Sequence, residues 1–92
     1  MIVRILSEGQ FKLPDDVQTQ LNELDNEAVS AVEAGDEGRF HELFDKMIQL
    51  VESGGEPLPD DELVESQIII PPRNLTFEEA KGEFTGEGII PD

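Results

Sequence analysis

Residues 14–55 read PDDVQTQLNELDNEAVSAVEAGDEGRFHELFDKMIQLVESGG, and the rest of the chain has to be arranged around them. Pro14 ends whatever precedes it, and Asp15 or Asp16 is placed to cap free amides while its charge suits a helix N-terminus. Val17, Leu21, Leu24, Ala28 and Val32 then recur at three- and four-residue spacing, which predicts a helix with one apolar stripe about four turns long. Gly35 stops it as a left-handed C-cap. Asp36 is placed to cap a second helix whose face, Phe40, Leu43, Phe44, Met47, Ile48, Leu50 and Val51, is wider and more apolar. Gly54 and Gly55 end that one. With Gly35 and Asp36 as the whole connection, the two helices fold back into an antiparallel hairpin.

Upstream, Ile2-Val3-Arg4-Ile5-Leu6 is β-branched and apolar, breaks at Ser7-Glu8-Gly9-Gln10 and resumes as Phe11-Lys12-Leu13, the pattern of a short β-hairpin turning near Gly9. A lone ribbon is marginal, so one of its faces must lie on the helices. Downstream, Glu56-Pro57-Leu58-Pro59-Asp60-Asp61 predicts an extended loop. Ile68 to Ile70 is available as a third strand, halted by Pro71-Pro72. Thr76-Phe77-Glu78-Glu79 matches a capping box and opens a short helix ending at about residue 84, weakened by Gly82. The expected fold class is α+β: a short antiparallel sheet packed on an antiparallel two-helix hairpin, with a short C-terminal helix, in one domain over residues 1–92.

Composition narrows the function. Of 92 residues, 22 are acidic and six basic, a formal net charge of −16 that repels DNA, RNA and anionic lipid headgroups. Direct nucleic-acid binding and direct membrane insertion are therefore not expected. Without cysteine there is no disulfide, thiol nucleophile or cysteine-held metal. The acids are scattered instead of gathered in a tail, which fits solvation in high salt, whereas a surface made for a basic partner would gather them on one face. Under the first reading, thermal stability rises from low salt to molar KCl. Met1 runs into Ile2 without the basic and long apolar segments of a secretory signal, and the longest apolar run, Ile68-Ile69-Ile70, is far below the roughly 20 residues of a membrane span, so a soluble cytoplasmic protein is expected.

The side chains that carry chemistry are sparse. His41 is the single histidine and sits off the main apolar stripe, as a flanking surface residue. Asp15/Asp16 and Asp60/Asp61 lack the alternating ligands and glycine of a calcium loop, and read as a helix start and a solvated turn. Neither a phosphate-binding glycine loop nor a nucleophile elbow occurs. No catalytic residue, metal ligand or cofactor is therefore expected. A two-helix hairpin exposes its second side unless the sheet covers it, and whatever stays exposed binds protein.

The chain also resembles the PspA-associated protein family (PspAA) over essentially its whole length. The resemblance rests on Met1-Ile2-Val3-Arg4-Ile5, Glu8-Gly9-Gln10-Phe11, Leu21-Asn22-Glu23-Leu24-Asp25, Gly54-Gly55-Glu56-Pro57, Ile70-Pro71-Pro72, residues 76–80 and the closing Phe84-Thr85-Gly86-Glu87-Gly88-Ile89-Ile90-Pro91. No single motif is specific; their order and spacing are. Ser7 stands where many relatives have glycine, which touches only the turn. The resemblance implies a non-enzymatic partner or regulator of PspA, a coiled-coil phage-shock protein, in the envelope-stress response of bacteria and archaea, recruited to the membrane through that partner. The acidity with few lysines points within the family to a halophilic archaeal source. The expected contact is the hairpin turn with the tail, through Gly9, Phe11, Phe84, Ile89 and Ile90, which lie outside the helical stripes. Two alternatives stand beside it: a self-associating homo-oligomer, and a small carboxylate-based ligand-binding domain or enzyme.

Overall fold

A computed structural model of the chain describes residues 1–6, 8–59 and 65–84. Ser7, Asp60, Asp61 and the tail with Ile89 and Ile90 lie outside the described residues. The elements in chain order are strands β1 (Ile2–Ile5) and β2 (Gly9–Lys12), helices α1 (Asp15–Ala34) and α2 (Glu37–Gly54), strands β3 (Glu56–Pro57) and β4 (Ile68–Ile70), and helix α3 (Phe77–Glu83).

The helix hairpin forms as its sequence dictates. Gly35 adopts φ +74°, and its N–H donates to Val32 O at 3.1 Å while Asp36 N–H donates to Ala31 O at 2.9 Å, the paired bonds of a Schellman turn. Asp36 at once serves the next helix, its Oδ1 accepting from Arg39 N–H at 3.1 Å. The start of α1 differs from expectation. Its N-cap is Pro14, in extended conformation and without a side-chain cap, so Asp15 and Asp16 sit inside the first turn, where they act on the dipole only.

The sheet has the order β3-β2-β1-β4. β1 and β2 pair antiparallel with Val3 opposite Phe11, and β2 pairs antiparallel with β3, so Glu56 and Pro57, expected in a loop, extend the ribbon by one short strand. β4 joins the other side of β1 in parallel, Val3 opposite Ile68 and Ile5 opposite Ile70. The sheet is thus mixed. Parallel neighbours need a long connection, and β2, both long helices and β3 all lie between β1 and β4 in the chain. Gln67 reinforces the entry to β4: its side-chain Oε1 accepts from Ile2 N–H at 2.6 Å.

Alternation then sorts the side chains. Val3, Ile5, Phe11, Ile68 and Ile70 point into the core, while Arg4, Lys12 and Ile69 point away. Against the inward set lie Val17 and Leu21 of α1 and Met47, Ile48 and Val51 of α2. Close approach at the α2 terminus needs glycine: a Cβ on Gly55 would stand 2.6 Å from Val51 O and 2.7 Å from Leu13 Cδ2. At the far end, Phe40 stacks on Phe44 with centroids 5.6 Å apart, and Phe84 meets the Phe40 ring edge-on at 5.0 Å. This cluster anchors α3. The capping box begins that helix, with Thr76 Oγ1 accepting from Glu79 N–H and Glu79 Oε1 from Thr76 N–H, both at 3.2 Å.

Candidate functional site

Of the expected contact residues, Gly9, Phe11 and Phe84 fall among the described residues. Gly9 stands at the end of the hairpin turn with φ +111°. Phe11 is 9% exposed and Phe84 fully buried, so both are core side chains, and a polar substitution at either strikes the fold before it strikes a contact. Their place outside the helical stripes reflects a core built from strands and α3 as well as α1 and α2. Ile89 and Ile90 lie outside the described residues. His41 is half-buried, edge-on to Phe40 at 5.4 Å, with Nε2 3.9 Å from Glu37. Among the described residues, no three His, Asp or Glu side chains converge as a metal site would require.

Around the turn the structure builds a clamp that the sequence did not announce. Arg73 donates from Nε to Glu8 Oε2 at 2.9 Å and from Nη2 to Glu8 Oε1 at 3.0 Å, and Nη2 also reaches Glu52 Oε1. One guanidinium thereby ties the β1–β2 turn, the last turn of α2 and the segment after β4. Its hydrogen bond holds the Glu52 carboxyl below the usual carboxylate range, and both carboxylates raise the Arg73 guanidinium above its ordinary value. Beside the clamp, Leu6 and Ile69, 41% and 52% exposed, border a concavity of about 440 Å³ closed by Pro71, Pro72 and Leu75.

A larger concavity, about 650 Å³, lies on the helix hairpin. Along α1 it is lined by Gln20, Glu23, Leu24 and Glu27; along α2 by Lys46, Gln49, Leu50 and Ser53. Leu24 and Leu50 belong to the predicted apolar stripes, yet both are only half-buried, packed on the rim of the core and open on their outer side. The groove is open at its mouth, and its rims are polar: Glu23 and Glu27 on α1, Lys46 on α2. Arg39 approaches Glu27 at 4.0 Å, and Lys46 makes no ion pair among the described residues. Sequence reading had the signal for this face, since the uncovered side of a two-helix hairpin is where such a groove must be. It missed Asp25, fully buried and partnered, which occupies a stripe position between Leu21 and Ala28.

A mixed sheet backed by a helix hairpin, acidic throughout and grooved on its helical side, defines a small two-layer α+β domain. Over residues 1–92 the chain matches the model of the family described as PspA-Associated protein, PspAA, and it belongs to that family. No curated protein and no solved structure matches it. The family's description names an association with PspA. Among the described residues, no helix is long and apolar enough to cross a membrane.

Proposed function

We propose that this protein is a non-enzymatic interaction module that binds a PspA-like coiled-coil protein and regulates or recruits it in the envelope-stress response. The observation that carries this reading is the family match along the whole chain. The described surface supports it: apolar side chains stay open both in the helical groove and around Leu6 and Ile69, on a chain whose charge of −16 favours a partner with basic positions. The same charge opposes direct contact with anionic lipid, so localisation at the inner face of the membrane follows through the partner. The scattered acids support a halophilic archaeal origin, in which the complex has to form in concentrated salt.

Purified protein mixed with the PspA from the same genome, at matching salt, should elute as one complex by size-exclusion chromatography with light scattering. Separate elution, with this chain at a mass well above 10.2 kDa on its own, would replace the reading with self-association.

A further inference from the structure

We propose that the groove between α1 and α2 seats one amphipathic helix of the partner, its apolar stripe on Leu24 and Leu50 and its flanking lysines or arginines over Glu23 and Glu27. This inference rests on the proposed association and names the surface and the chemistry that carry it.

The dimensions select a helix. The lining residues recur at three- and four-residue spacing on each wall, Gln20 to Glu27 on α1 and Lys46 to Ser53 on α2. Seven residues of helix rise about 10 Å, so the floor takes about two turns of an incoming helix, enough for anchors at i, i+3 or i+4, and i+7. An antiparallel pair presents ridges on which a third helix settles at about 8–10 Å, and doing so covers the open sides of both leucines.

The charges select its composition. Glu23 has no ion pair among the described residues, and Glu27 has one long contact to an exposed arginine, so the α1 rim offers two carboxylates with room for cations. Lys46 on the opposite rim meets an acidic position, which makes the seat asymmetric: basic flank over α1, acidic flank over α2. A second copy of this chain is the wrong occupant, because it brings another −16 charges against the same rims.

The test uses two synthetic helical peptides about five turns long. One carries a leucine stripe flanked by lysines; the other has the same composition with the stripe scrambled. In ¹⁵N-labelled protein, the striped peptide is expected to shift amides of residues 20–27 and 46–53 and the scrambled one to leave them in place. The exposed double variant Glu23→Lys, Glu27→Lys, folded by circular dichroism, should weaken the striped peptide about tenfold, and Lys46→Glu should tighten it. Equal binding of both peptides, shifts elsewhere on the surface, or indifference to Glu23→Lys, Glu27→Lys overturns the groove. Purified PspA separates the two proposals. If it binds wild type and the double variant alike, the groove is wrong and the association stands. If it ignores wild type while the striped peptide fills the groove, the association is wrong and the groove chemistry stands.

Discussion

Arg73 holds three separate parts of the chain through two carboxylates, and it is half-exposed, so its worth depends on the protonation of Glu52. Because folding lowers the Glu52 pKa, the pair contributes stability above the unfolded pKa of the carboxylate and loses it as pH falls through the folded value. Arg73→Ala is therefore expected to lower the urea midpoint at neutral pH, with the gap to wild type closing as pH drops below about 4. A gap that stays unchanged well below that pH would mean that the arginine acts by packing alone. No pattern in the sequence announces this clamp, since its members stand at positions 8, 52 and 73, each looking like one more surface charge. Asp25 was invisible for the opposite reason. Its position in the stripe was legible, but residue type alone says outside, and only a partner permits a carboxylate there.

At the scale of elements, legibility followed locality. The helix hairpin could be read almost to the residue, because each signal, stripe, glycine and cap, is contained within one or two turns. Gly35 offers the sharpest check. An added Cβ meets nothing within 4 Å, so Gly35→Ala costs only the left-handed conformation, about 1–2 kcal/mol by urea denaturation, and Gly35→Asn should cost less. Equal stability of the alanine variant would mean that the connection had found another geometry. The capping box at Thr76 was equally legible. The direction of β4 was not, because three isoleucines followed by two prolines fit either edge of a hairpin in either sense, and what fixes the choice is a register set 65 residues away. The burial of Phe11 and Phe84 was hidden on the same account: the stripes of α1 and α2 supply only part of the core, and the sheet and α3 complete it.

For the whole molecule, the charge of −16 on 92 residues is a standing repulsion that salt screens. Thermal midpoints should climb from low salt to molar KCl, each kcal/mol of relieved repulsion being worth about 4–8 °C in a domain of this size. A flat or falling profile would remove high-salt adaptation as the reason for the acidity and leave partner recognition. The groove is the part of the site that composition and the helix hairpin together made accessible to sequence reading, while its rim pattern needed the helices in register. The central position of β1 has a further consequence, in time instead of energy. During synthesis β1 leaves the ribosome 65 residues ahead of the segment that completes its second edge, an interval of roughly 3–13 s. Through that interval one side of the ribbon stays open to any passing strand, and the nascent chain keeps its solubility through the acids it has already displayed.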